Sequence, residues 1–216
     1  MSERPDTRLT DLPLFPLQTV LFPGGRLALK VFEARYLDLM SRCMREGRPF
    51  GVVCIKQGSE VQSGPGAAGA AAPLQLESTG TLAHLLDVDA DSPGLLKVLC
   101  SGGQRFALPQ PCVQQGQLWV APVAELLAPD PKLPPGEAFD ATVQALDRAL
   151  AALQAREPAT AMLPDERLLD DAGWVANRWC ELLPISLSVK TQLMALPDPL
   201  ARLGLIDGFL RSKKVI

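Results

Sequence analysis

Imidazole and the larger aromatics are scarce: 216 residues hold one histidine, one tyrosine and three tryptophans. His84 is the sole imidazole, so any Cys–His nucleophile pair must use it. A metal site needs several His, Cys or carboxylate ligands brought together, and no C-x-x-C pair occurs, so neither a metal nor another cofactor is expected. Charge of one sign is also lacking: 21 Lys and Arg against 24 Asp and Glu give a net charge of -3. That balance supplies no field for holding a polyanion and weighs against nucleic acid as the main partner. No uninterrupted apolar run is long enough to cross a bilayer, so no membrane association is expected. The opening MSERPDTRLTDLPLF lacks the pattern of a secretory signal. No G-x-x-x-x-G-K-[ST] loop is present to cradle nucleotide phosphates.

What is present is apolar. Hydrophobic residues make up 47% of the chain, enough for one large domain or two small ones and against global disorder. Cys43, Cys54, Cys100, Cys112 and Cys180 form an odd, widely spaced set. They read as small apolar residues in a reducing, cytoplasmic setting.

The densest information lies in residues 12–36, LPLFPLQTVLFPGGRLALKVFEARY. Phe22-Pro23-Gly24-Gly25 suits a type II turn, with Pro23 presetting φ and Gly24 taking the positive φ. Leu27, Leu29 and Val31 then alternate with Arg26, Ala28 and Lys30, as in a strand with one buried side. Glu33 opens a helical pattern in which Leu37, Met40 and Met44 recur, and Gly47 stands where a C-cap belongs.

Further strands are expected at 50–55, 80–86, 95–100, 105–108 and 118–126, with a low-complexity hairpin loop, GPGAAGAAAP, at 64–73. Short strands with Gly and Pro punctuation favour a barrel or sandwich over βαβ units. The four prolines of APDPKLPPG, residues 128–136, make an extended connector. Beyond it the period becomes helical. Phe139, Val143, Leu146, Leu150 and Leu153 mark one helix face. Asp171 caps a helix with Val175, Trp179 and Leu182, and Ser186 caps one with Val189, Leu193 and Leu196. Asp198-Pro199 starts a last helix with Leu203, Ile206 and Leu210. Of Trp174 and Trp179, about 140° apart on their helix, one is expected in the core and the other at the junction between the two parts.

Most of the chain, the leucine-rich carboxy-terminal helices included, resembles the amino-terminal, substrate-binding domain of Lon proteases, most specifically in its first block. The resemblance is carried by Leu12-Pro13-Leu14-Phe15-Pro16-Leu17, Leu21-Phe22-Pro23-Gly24, Val31-Phe32-Glu33-Ala34-Arg35-Tyr36 and Phe50-Gly51-Val52-Val53. Weaker echoes follow at Gly80-Thr81-Leu82-Ala83 and Gly103-Gln104-Arg105-Phe106. The resemblance implies an α+β fold: a β-rich, PUA-like pseudo-barrel over residues 8–127, followed by a helical bundle subdomain over 136–216. It also implies a stand-alone recognition module without ATPase or peptidase domains, an adaptor or regulator that takes unfolded or extended protein segments; a separate protease as partner is compatible with it, and whether the module works beside one, competes with one or does neither stays open. A symmetric homodimer is compatible with it.

No catalytic residue is expected. Ser186 and Lys190, four apart, share a helix face, but Ser186 has a capping role and Lys190 reads as solvated. His84, pointing with Leu82 and Leu86, reads as a partly buried or sheet-facing structural histidine. Glu33 and Arg35, two apart on a helix, are expected to point apart and, with Pro23, Gly24 and Tyr36, to fix the fold. The apolar surplus supplies the candidate peptide-binding set Phe15, Leu17, Leu21 and Phe22, because Pro16 and Pro23 prevent all of it from lying on one inward strand face. Two other classes stay open. RNA binding is opposed by charge and by scarce aromatics. An enzyme with an unrecognised site is testable by replacing His84 or Ser186.

Overall fold

The computed structural model describes residues 7–58, 74–156, 164 and 166–216. The loop expected at 64–73 lies outside them. Among the described residues seven strands come first: β1 (Arg8–Leu17), β2 (Arg26–Val31), β3 (Phe50–Gln57), β4 (Gln75–Ser92), β5 (Leu95–Ala107), β6 (Val113–Gln115) and β7 (Leu118–Leu126), with helix α1 (Ala34–Glu46) between β2 and β3. A 3-10 turn at Glu137–Phe139 and then, among the described residues, the α-helices α2 (Asp140–Arg156), α3 (Ala172–Leu182), α4 (Leu187–Ala195) and α5 (Pro199–Ser212) follow.

The strands run in the order β2-β5-β4-β3-β1-β7-β6, and an extra β5–β7 pairing closes β1, β3, β4, β5 and β7 into a barrel. One strand can serve three neighbours because β5 is long and bends. Its first half pairs with β2, and Phe106 and Ala107 reach β7. The separate strands expected at 95–100 and 105–108 are therefore one, continuous through Gly102 and Gly103. β2 and β6 are the extra strands outside the closed barrel, each with one ladder partner. The expected alternation of β2 holds: Leu29 and Val31 are buried while Ala28 and Lys30 are exposed.

Phe22–Gly25 is the expected turn. The Gly25 N–H donates to the Phe22 carbonyl at 2.9 Å, and Gly24 has φ +73°, a conformation open mainly to glycine. The turn leaves the barrel rather than decorating it. Phe22 is fully buried among side chains of the helices, in a cluster with Trp174, Val175, Trp179, Leu203 and Ile206. Arg178 of α3 donates to the Pro23 carbonyl at 3.0 Å.

The helix starts follow their caps. The Asp171 carboxylate accepts from Gly173 and Trp174, that of Asp198 from Leu200 and Ala201, and the Ser186 hydroxyl from Val189. α1 ends at Gly47 in the left-handed region. Three helix faces differ from expectation. In α2, Leu153 is exposed, and the inward residues are Thr142, Ala145, Leu146 and Leu150. In α1, Met44 is exposed and the inward stripe is Tyr36, Leu39, Met40 and Cys43. In α4, Thr191 and Met194 face inward, whereas Val189 is exposed and Leu193 and Leu196 are half-buried. α4 meets β4, and the Thr191 hydroxyl returns to the Leu187 carbonyl, so a polar residue is satisfied inside while aliphatics line the surface. Both tryptophans are buried: the Trp179 indole donates to the Thr142 carbonyl of α2, and Trp174 stands against the Gly24 turn at the junction.

Candidate peptide-binding cleft

β1 ends where β2 begins to run along the opposite side of an opening. β1 pairs with β7 only as far as Leu14, so Phe15–Leu17 have β3 on one side and no β7 on the other. Among the described residues β2 pairs with β5 alone. Between these two strand ends lies a cleft of about 350 Å³, lined by Phe15, Leu17, Leu29, Lys30, Phe32 and Tyr36 among others.

Its floor is stiff. The rings of Phe15 and Tyr36 stack at 3.9 Å, and Phe15 meets Phe50 at 6.1 Å. Arg35 lies over the Tyr36 ring at 4.5 Å, donates to the Gln117 carbonyl at 3.0 Å and pairs with Glu33 at 2.7 Å. Glu33 and Arg35 thus meet, against the sequence expectation. Glu33 is the N-cap residue with extended backbone (φ -76°, ψ 131°), so helical spacing does not apply across it. These contacts pin the β2–α1 corner and leave Phe32 62% exposed at the cleft's edge.

Of the four candidate apolar residues, Phe15 and Leu17 line the cleft, each with only a sliver of surface. Leu21 belongs to the barrel core and Phe22 to the helical core. Neither borders the opening: Leu21 packs with Phe15, Leu17 and Leu29 beneath it, and Phe22 packs against the helices. Phe32 was not singled out from sequence. The available signal was an aromatic ring at the outward parity of an alternating strand, after Ala28 and Lys30.

Other depressions lie elsewhere on the described surface. One of about 350 Å³ lies between α4 and α5, lined by Val189, Leu193, Leu205 and Phe209 among others. Another of about 400 Å³ has Met44, Arg48, His84, Leu86 and Asp87 on its walls. His84 is exposed rather than partly buried and faces the sheet, its ring lying over Gly103 of β5, whose missing side chain leaves it room.

Among the described residues the candidate reactive groups have other roles. Ser186 is occupied with capping, and Lys190 is half-buried rather than solvated: it donates to the Glu181 carbonyl at 3.0 Å, and burial pushes its pKa down. Burial pushes the Cys100 and Cys180 thiols up to about 12, which keeps them protonated and unreactive. Among the described residues no group of three or more His, Cys, Asp or Glu is placed to hold a metal ion. No described helix is long and apolar enough to cross a membrane.

The fold and its opening thus define an α+β domain, a five-stranded barrel with extra strands and a carboxy-terminal helical region, carrying an aromatic-floored cleft beside a strand edge. Residues 11–212 match the family model of the ATP-dependent protease La (LON) substrate-binding domain, and the chain belongs to that family. It is similar to a Lon protease of Xanthomonas oryzae pv. oryzae, with 27% identity over 96% of this chain and 24% of that protein, so it spans about a quarter of that relative's length. Among solved structures it resembles a Lon N-terminal domain protein from Xanthomonas campestris, with TM-score 0.68, 31% identity, and coverage of 93% of this chain and 98% of that one. The N-terminal domain of Lon protease from the Mycobacterium avium complex shares the fold, with TM-score 0.52 and 16% identity over 91% of this chain and 95% of that one.

Proposed function

We propose that this protein is a non-catalytic recognition module that holds unfolded or extended protein segments in the cleft between the end of β1 and β2. The observation that carries the reading is Phe32, 62% exposed at the mouth of a cleft floored by buried Phe15 and Leu17. A large aromatic side chain held in water by a rigid corner is a ready anchor for another apolar side chain. Family membership supports protein substrates as the ligand class. The finer role is that of an adaptor or regulator in proteolysis or protein quality control, working in the cytoplasm beside a separate protease.

A cleft of this size takes a few side chains at a time. Single-site affinity is therefore micromolar or weaker, and several contacts along one unfolded chain raise it by local concentration. The test is a fluorescence anisotropy titration with a labelled, permanently unfolded model protein. Saturable binding that weakens on Phe32→Ala, with the fold intact by circular dichroism, is the expected result. A flat signal to high protein concentration overturns the reading.

A further inference from the structure

We infer that the ligand is held by strand addition to β2, and that the segment admitted alternates apolar residues with acidic ones. This rests on the reading of the cleft as a site for extended polypeptide and names how, and which, segments enter it.

The backbone parity of β2 is fixed at its start. Gly102 donates to the Gly25 carbonyl at 2.9 Å, and the register runs on from Arg26↔Ser101 to Val31↔Leu96 without a shift. In an antiparallel pair, hydrogen-bonded and non-hydrogen-bonded positions alternate. Leu27, Leu29 and Val31 therefore share the parity of Gly25 and exchange bonds with β5. Ala28 and Lys30 turn their N–H and C=O groups to the other side. That side is the cleft, which is lined by every residue from Leu27 to Val31, inward and outward positions alike. An opening over one sheet face would collect alternate residues only, so this one runs along the strand's edge. The opposite wall includes Pro16, which has no N–H to donate. The directional bonds thus belong to β2.

Side chains set the pattern. Leu29 and Val31 face the core, so the positions beside them on an added strand meet the apolar floor. On the outer face Lys30 stands directly opposite Lys97 of β5, and Lys97 in turn stands opposite Asp89 of β4. Like charges directly opposite one another are unfavourable. Among the described residues Lys30 makes no ion pair of its own, and the place beside it away from Lys97 is the open edge. A carboxylate on an incoming strand fills that place and completes an acid–base–base–acid row. A lysine on an edge strand also discourages pairing with uncharged apolar strands, so the edge is selective rather than merely open.

The test compares two eight-residue peptides, alternating Val with Glu and Val with Lys, by anisotropy and by amide hydrogen exchange. The unfolded model protein is run alongside. The Val/Glu peptide is expected to bind about tenfold or more tightly than the Val/Lys peptide, with Lys30→Glu reversing the order. The Ala28 and Lys30 amides should slow on saturation while those of Leu27 and Leu29 do not change. Saturable binding that leaves the Ala28 and Lys30 amides unprotected overturns strand addition and leaves the cleft reading standing. Protection with equal affinity for the two peptides overturns the acidic preference. Absence of binding by all three ligands overturns the cleft reading itself.

Discussion

Arg105 of the barrel and Asp130 of the connector meet at 2.7 Å in a buried pair that joins the two halves of the molecule. Asp130 also takes Arg202 of α5 at 2.7 Å, so one carboxylate neutralises two guanidinium groups that are almost wholly enclosed. The remaining donors are used as well. Arg105 reaches the carbonyls of Met194, Leu196 and Ala128, and Arg202 those of Leu193 and Leu196 and the amide oxygen of Asn177. Removing the acid leaves two buried cations without a counter-charge. Asp130→Ala is expected to destabilise by about 3–5 kcal/mol. Asp147→Ala, which breaks a surface pair with Arg167 at 2.6 Å, should cost about 1 kcal/mol or less. Urea unfolding of both variants checks the contrast; equal losses would mean that the buried network does not fasten the halves.

Gly102 is required by close approach. A Cβ there would lie 2.1 Å from the Phe22 carbonyl oxygen, a backbone atom that cannot swing aside. The same residue accepts from the Gly24 N–H at 2.8 Å, so any shift pulls on the turn that plugs Phe22 into the helices. Gly102→Ala should destabilise by about 1–3 kcal/mol through overpacking. A crystal structure or a chemical-shift map of the variant should place the disturbance at Phe22–Gly25 and at α3, and an unperturbed α3 would contradict the coupling.

Glu181 gives the junction a pH dependence. Burial raises its pKa from an ordinary 4.5 to about 7, while Arg178 and Lys190 pull the other way. Between those two values the folded chain keeps a proton that the unfolded chain has released. The contribution of Glu181 to stability therefore falls as pH rises from about 4.5 to about 7. Asp207 works in the opposite sense but outside this window. Hydrogen bonds from Arg211 and Thr142 hold it below its usual range, so its contribution is lost only in more acid solution. Glu181→Gln should remove the Glu181 slope. The measurement is the urea midpoint of each protein at pH 5 and pH 7; identical pH differences for the two would refute the assignment.

Local chemistry was legible from the amino-acid order, and long-range closure was not. Pro23-Gly24-Gly25 and the caps Asp171, Ser186 and Asp198 each act on backbone within a few residues, so their outcome was readable in place. The partners of Asp130 lie 25 and 72 residues away, and nothing near Asp130 announces either of them. The apolar surplus of residues 14–22 was evident, but its division was not. Phe15 and Leu17 border an opening while Phe22 fills a different core, because the chain leaves β1 after Leu17 and Phe22 begins the turn that packs against the helices. The expected face of α4, Val189, Leu193 and Leu196, is a true apolar face that lines a surface depression instead of the interior.

Phe22 and Phe32 are the same residue type ten positions apart, with opposite assignments. Phe22 has no exposed surface and is packed by Trp174, Val175 and their neighbours, so Phe22→Ala opens a cavity that the two halves cannot easily close. Its cost should be about 3–5 kcal/mol. Phe32 is 62% exposed, with little of its ring packed against the fold. Phe32→Ala should change stability by about 0.5 kcal/mol or less. Binding should respond in reverse. At a temperature where both variants are folded, Phe22→Ala should bind the unfolded model protein as the parent does, and Phe32→Ala should weaken it several-fold. Thermal unfolding and anisotropy on the two variants separate core from contact. A Phe32→Ala variant that binds as tightly as the parent would remove the exposed ring from the cleft's function and shift attention to the depression between α4 and α5.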